Sequence, residues 1–384
     1  MNIYLDNSAT TKLDKEVLKE MLPYLQENYG NPSSTYQLGR ENKKIIEHAR
    51  KQVAKVLNAD TNEIYFTSGG SESDNMALKG VAFANQNKGK HIITSKIEHL
   101  AVLETCKELE KHGFEITYIN VDKNGIVDLK QLEASIRKDT ILISIMFANN
   151  EIGTIEPIKN IGMITKQHNI LFHTDSVQAI GNIEINVKKL GIDLLSLSAH
   201  KFYGPKGIGA LYVRDGIDLR KYLNGGHQEN NMRAGTENVA GIVGLGKAIT
   251  LAYNNIKDKN KKLHNLRTYL INEIKKNIPN IEINGTLENR LPGNINILIK
   301  GIESDNLLTE LDKKGIFIST GSACTTGNIE SSHVLKAIGL SDIEAHSSIR
   351  ISLGKYNTKN ELKSFFIELK ETIENLRKHS VLYK

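Results

Sequence analysis

The chain has 384 residues, of which 39% are hydrophobic and 24% charged, with a formal net charge of +6. That length exceeds what one simple core organises, so two domains, or a large and a small one, are expected, and the composition suits a globular enzyme rather than a disordered chain. The clearest source of positive charge, Lys257 to Lys262, has no interleaved aromatic residues; it reads as a solvated helix face and argues against nucleic-acid binding.

No stretch approaches the roughly 18 apolar residues of a membrane span. Met1 to Asp6 lacks the basic region and apolar core of a signal peptide. The two cysteines, Cys106 and Cys324, have no paired spacing. They exclude a disulfide framework or a multi-cysteine zinc site and suit a reducing cytoplasm.

Taken in order, Ile3 onward predicts a short strand running into the polar tract Asp6-Asn7-Ser8-Ala9-Thr10-Thr11. Amphipathic helices are expected over 15–26 and 40–57, on either side of the turn cluster Gly30-Asn31-Pro32-Ser33-Ser34. Next comes Ile64-Tyr65-Phe66, a strand, then Thr67-Ser68-Gly69-Gly70-Ser71 and a helical pattern through Ala82. Strand, glycine turn and helix N-terminus together form a phosphate-binding arrangement, because backbone N–H groups point outward and the helix dipole favours an anion. The spacing matches neither a Walker motif nor GxGxxG. Taken alone, the turn serves equally as a plain strand–helix link with Ser71 as N-cap.

From there strands (92–94, 115–119, 141–146, 170–173, 194–197) alternate with helices (101–111, 129–136, 158–167). That alternation predicts a largely parallel sheet flanked by helices, with functional residues at the carboxyl ends of the strands. Polar groups sit there: Asn149-Asn150-Glu151, Asp175-Ser176-Val177-Gln178 and Ser198-Ala199-His200-Lys201. A long helical region from Val239 to about residue 277 reads as a connector. Strands near 294–299, 316–318 and 348–353 with helices near 307–313, 332–338 and 359–377 make an α+β appendage. The expected domains are residues 15–258, and residues 1–14 with 259–384.

A lysine at a buried strand end can become a nucleophile toward a carbonyl, although a lysine chosen at random is a surface residue. Lys201 has company: an acid at a strand end (Asp175), a phosphate-type turn and His99. These are the parts pyridoxal phosphate requires, with the lysine as Schiff-base partner and a carboxylate holding the ring nitrogen protonated.

The sequence resembles the fold-type I enzymes and, within them, the NifS/IscS cysteine desulfurases. The likeness runs through Tyr4 to Thr11, Phe66 to Ser73, Glu98-His99, Asn149 to Gly153, His173 to Gln178, Ser198 to Lys201, Met232 to Asn238, Gly321 to Cys324 and Ser348 to Arg350. It implies an α/β fold-type I architecture: a large domain with a mainly parallel central sheet, plus a smaller α+β domain. Lys201 would hold pyridoxal 5'-phosphate and move the substrate α-proton. Asp175 would pair with the ring nitrogen, Gln178 with the phenolic oxygen, and His99 would stack on the ring and take part in proton transfer. Gly70, Ser71, Ser198 and His200 would hold the phosphate, helped by Thr236 from the partner subunit of a homodimer. Asn150 would contact cofactor and substrate, and Arg350 would grip the substrate carboxylate as a bidentate fork.

Cys324 selects the reaction. Ser319 to Asn328 is small and polar throughout, which favours an exposed mobile loop, whereas Cys106 lies on an apolar helical face and reads as a buried hydrophobe. As a thiolate, Cys324 would take sulfur from L-cysteine as a persulfide, leaving L-alanine. The sulfur would pass to an acceptor protein for iron–sulfur cluster assembly or tRNA thiolation. No resident metal is expected, beyond transient contact of Cys324 with a cluster through a scaffold. Selenocysteine lyase and cysteine sulfinate desulfinase activities are the near alternatives, and the extended Cys324 segment argues against them. A sulfur-carrier docking platform with weak turnover and a plain aminotransferase are more distant. Gly70-Ser71 stands where Ala-Thr is common in the family, and no role is assigned to His227.

Overall fold

The computed structural model describes residues 2–320 and 331–380. Three strands of alternating origin begin to show the plan: β1 (Ile3–Tyr4) lies apart, while β2 (Ile64–Thr67) and β3 (His91–Ser95) enter the main sheet. That sheet is completed by β4 (Glu115–Ile119), β5 (Thr140–Ser144), β6 (Leu171–Asp175), β7 (Leu194–Ser198) and β8 (Gly209–Val213), in the order β2-β8-β7-β6-β5-β3-β4. The run β7-β6-β5-β3-β4 is parallel, and β8 pairs antiparallel with both β7 and β2. Strand β5 reads Thr-Ile-Leu-Ile-Ser and is buried at every position, as expected for a sheet covered on both faces. Ile143, Leu195 and Phe172 are fully buried in its largest core, each adding about 1.5–3 kcal/mol relative to exposure.

A second core draws on both ends of the chain. Ile3 and Leu5 pack with Leu270, Ile297, Ile351 and Phe365. Here β9 (Ile281–Ile283), β10 (Asn294–Ile299), β12 (Ser319–Thr320) and β13 (Ser348–Ser352) form an antiparallel sheet, and β1 pairs in parallel with β11 (Ile316–Phe317). The N-terminal tract leaves this core to reach the main sheet, which places residues 6–11 between the two layers of structure.

Several expectations change. The long connector is two helices, Val239–Asn254 and Ile256–Asn277, broken at Asn255 (φ −106°, ψ 11°). Glycine, not Ser71, precedes the helix Gly70–Asn85: its N-cap is Gly69. Strand β6 runs on to Asp175 because Asp175 O accepts Phe147 N–H at 2.8 Å and the residue pairs with Ser196. Strand β5 stops at Ser144, and Met146 N–H turns to the Glu98 carboxyl (3.0 Å) instead. The lysine run is not wholly solvated either. Lys259 turns inward onto Gly181 O and Asn182 Oδ1, and burial lowers its amine to about 7. No helix among the described residues is long and apolar enough to cross a membrane.

Candidate active site

Lys201 ends a short 3₁₀ turn, Ala199–Lys201, that follows β7 directly. Its Nζ donates to Ser8 O (2.6 Å) and Ala9 O (2.8 Å). Beside it, Thr11 Oγ1 donates to His200 O (2.8 Å), and His200 Nδ1 meets Thr10 Oγ1 at 3.1 Å. Burial, then the nearby Lys201 and Lys206, lower His200 to about 4, so its ring is neutral at pH 7. The N-terminal tract therefore forms one wall of the site, and its carbonyls hold the lysine amine.

The phosphate-type turn lies opposite. Gly69 has φ +156° and ψ −174°, a region essentially restricted to glycine. A Cβ on Gly70 would sit 2.7 Å from Val177 Cγ2, so the missing side chain keeps that side of the cavity open. The first-turn N–H groups of the helix have no intrahelical acceptor. Glu72 accepts Ser68 N–H (2.8 Å) and pairs with Arg233 at 2.8 Å, which fixes the turn.

Between these walls sits an acidic cluster. Asp175 is 6% exposed and accepts Val177 N–H at 2.9 Å. Asp74, His99 and Asp175 bring one ligand atom each within 4.8 Å of one another. Asp74 is 1% exposed, and its Oδ1 has no hydrogen-bond partner. Burial raises both carboxyls; Asp175 adds to the rise of Asp74, which goes well above the usual range, while His99, Val177 N–H and Lys201 restrain Asp175. Of the two, Asp74 is held further toward its protonated form. His99 caps the helix Leu100–Lys111, its Nδ1 accepting Ala101 N–H at 3.1 Å. With Nδ1 engaged in that cap, Nε2 is the ring nitrogen left to hold a proton toward the cavity.

The fourth wall comes from the other core. Arg350, on β13, is 1% exposed; it pairs with Asp6 at 2.8 Å and donates to Asn150 O at 3.2 Å. Its buried Nε has no partner. It is thus not the strand-surface arginine that a strand position alone suggests. Gln178 Nε2 donates to Ser8 O (2.9 Å), and Ser198 ends β7.

One cavity of about 300 Å³ is lined by Gly70, Ser71, His99, Asn150, Asp175 and Gln178, and equally by Ser198, His200, Lys201 and Arg350. Thr236 is exposed and does not line it. Cys324 lies outside the described residues, and with it the expectation of a mobile loop; Cys106 is buried. Sequence reasoning missed Asp74, which reads as an ordinary helix residue four positions past Gly70 until the fold sets it against Asp175. The neighbouring Ser8 and Ala9 act through backbone carbonyls, which leave no trace in residue type.

The family described as Aminotransferase class-V matches residues 3–365. A protein named cysteine desulfurase IscS from Dictyoglomus turgidum is 56% identical over 375 residues, 98% of this chain and 95% of that one. The protein of the same name from Methanosarcina thermophila is 56% identical over 380 residues, covering 99% and 94%. The chain belongs to the class-V aminotransferase family, among its cysteine desulfurases. Among solved structures, a NifS-like protein superposes with a TM-score of 0.93 at 41% identity, covering 98% of this chain and all of that one. SspA in complex with cysteine gives 0.83 at 39% identity, covering 93% and 100%.

Proposed function

We propose that this chain is a pyridoxal phosphate-dependent cysteine desulfurase that converts L-cysteine to L-alanine and takes the sulfur onto Cys324. The observation carrying this reading is one cavity lined by Lys201, the buried Asp175, Gly70 and Ser71 of the phosphate-type turn, and Arg350. Its volume is at the lower end of the usual range for small-molecule sites, roughly 300–1,000 Å³. The residues fit the cofactor: a lysine to bind the aldehyde, a carboxylate for the ring nitrogen, and an open helix N-terminus for the phosphate. When bound, that group supplies an electron sink.

The chain's own residues supply the rest. Lys201 holds the cofactor and afterwards carries the α-proton of the substrate. Asp175, raised less than Asp74, favours a protonated ring nitrogen. Gln178 would bond the phenolic oxygen, and Gly70, Ser71, Ser198 and His200 would hold the phosphate. Arg350 would take the substrate carboxylate through its guanidinium, which Asp6 fixes, and Asn150 stands beside it. His99, its Nδ1 engaged by Ala101 N–H, would stack on the ring and take part in proton transfer through Nε2. Cys324 as thiolate attacks the substrate sulfur. The S–S bond forms as the C–S bond breaks, and the C–S electron pair stays with carbon. The carbon skeleton gains a proton at Cβ and regains one at Cα, so cysteine plus Cys324 thiol gives alanine plus Cys324 persulfide.

We assign the enzyme to the reducing cytoplasm as a homodimer in which the exposed Thr236 reaches the partner's phosphate site. A sulfur-acceptor protein would take the persulfide for iron–sulfur clusters or tRNA thiolation. Purified protein should show a visible cofactor band and release alanine from cysteine. Lys201→Ala should lose the lysine-bound band, and Cys324→Ala should lose persulfide and alanine formation. Undiminished alanine release in Cys324→Ala would overturn the sulfur-transfer assignment.

A further inference from the structure

The strand-end turn that presents Asn150 also contains a buried carboxylate with no role in the reaction just described. Glu151 is 6% exposed, and its Oε2 accepts a hydrogen bond from Ser332 Oγ at 2.5 Å. Ser332 is 5% exposed and also caps the helix His333–Ala337, its Oγ accepting Leu335 N–H at 3.1 Å. The next residue, His333, donates through Nε2 to Glu98 O at 2.9 Å, immediately before His99. Val334 and Leu335 complete the seam by packing on Ile97, Met146 and Ile152. The turn itself is rigid: Asn149 Oδ1 accepts the N–H groups of Glu151 and Ile152, while Asn294 and Asn296 donate to Glu151 O. Two strand ends that carry candidate site residues are thereby fastened to one short helix, with which they share a small apolar cluster of their own.

We propose that Glu151 is a positioning residue for the substrate site, fastening Ser332 to the turn after β5 so that Asn150 and, through Glu98 O, His99 are held for the reaction. The inference rests on the reading of Asn150 and His99 as site residues. The cost of burying this carboxylate is visible in its titration. Burial pushes Glu151 up to about 7, and the Ser332 hydroxyl, Arg350 and His99 restrain the rise. The charged and titratable groups around it are Arg350 on β13, His99 at the cap of Leu100–Lys111, and Glu98 and His333 along the seam. Because the docked carboxyl binds its proton more tightly than a free one, docking is tightest below the ordinary value and loosens as pH rises through about 7.

The test uses the cofactor-loaded full chain, with Glu151→Ala, Glu151→Gln and Ser332→Ala. Three quantities are measured: KM and kcat for L-cysteine, cofactor affinity, and backbone hydrogen exchange of residues 333–338 at about pH 6 and 8. Loss of a buried hydrogen bond should raise KM up to about tenfold in Glu151→Ala and speed exchange of 333–338 comparably, with cofactor affinity within about twofold. Ser332→Ala should do the same, and the double variant should be no worse than either single one. Glu151→Gln should keep most of the affinity for substrate but lose the pH dependence of exchange. Wild-type KM and wild-type exchange in both alanine variants would overturn the proposal, as would a cofactor affinity that falls as far as KM rises. Should Glu151→Ala not fold, Ser332→Ala carries the decision. A wild-type protein without desulfurase activity would instead refute the functional reading, while exchange at 333–338 would still report on the fastening.

Discussion

Replacing Arg350 by lysine isolates what the fork geometry contributes, because the positive charge beside Asp6 survives. In the native site the guanidinium makes one ion pair to Asp6 at 2.8 Å and one bond to Asn150 O at 3.2 Å, its buried Nε has no partner, and the residue lines the cavity. An ammonium is a point donor without that flat edge. At 1% exposure no water replaces the missing donor. Arg350→Lys should therefore lose one charge-assisted hydrogen bond to the substrate carboxylate, about 1.5–3 kcal/mol, which is a tenfold to roughly 150-fold drop in kcat/KM. Arg350→Ala also strands Asp6, and its loss should reach about 3–5 kcal/mol, roughly 150-fold to a few thousand-fold. Steady-state alanine formation from cysteine measures both, with thermal unfolding and the cofactor band as controls for folding and loading. An Arg350→Lys enzyme within about threefold of wild type, fully loaded, would refute the assignment of the guanidinium to substrate.

Three further outcomes follow from the geometry. Asp74→Asn mimics the protonated acid, so cofactor affinity should stay within about threefold, whereas Asp175→Asn should lower it more than about tenfold; titration of the cofactor-free protein measures both, and the reverse order would exchange the two roles. Gly70→Ala places a Cβ 2.7 Å from Val177 Cγ2, so cofactor affinity should fall about tenfold and recover in the Gly70→Ala/Val177→Ala pair, as expected for overpacking. Glu156 is 3% exposed, and burial raises it from 4.5 to about 8, with Glu98 and Asp122 adding to the rise. The folded state keeps that proton where the unfolded chain loses it, so this carboxyl's contribution to stability is present below about 4.5 and is lost as pH rises through about 8. Between pH 6 and 8, denaturant unfolding of Glu156→Gln should escape a loss on the order of 2 kcal/mol that wild type suffers; parallel pH profiles would contradict this.

Much of the main sheet was legible because its strands are short, apolar and β-branched, and because a strand buried on both faces needs no polar alternation. Helices over 15–26 and 158–167 were readable to the residue. The break at Asn255 was not, since helical periodicity passes through it undisturbed. Nor was the inward turn of Lys259, whose neighbours Lys257, Lys261 and Lys262 remain exposed on the same helix. Arg350 shows the same limit. Its strand was predicted, but nothing in Ser-Ile-Arg-Ile-Ser separates a surface arginine from one that crosses into the cavity of the other core.

By itself the sequence determined the alternating α/β plan, the turn at Gly69-Gly70 and the ordered blocks that carry the family likeness, because these depend on local spacing and residue type. Tertiary structure alone decided which polar groups meet. Asp74 and Asp175 are a hundred residues apart in sequence, and Arg350 closes a cavity opened by Ser8. Burial then made those meetings matter: it raised Asp74 well above the usual range, raised Asp175 against the pull of His99 and Lys201, and raised Glu151 to about 7. A side chain's charge state and partners are set by what the whole fold brings against it, and that is a long-range property no local pattern encodes.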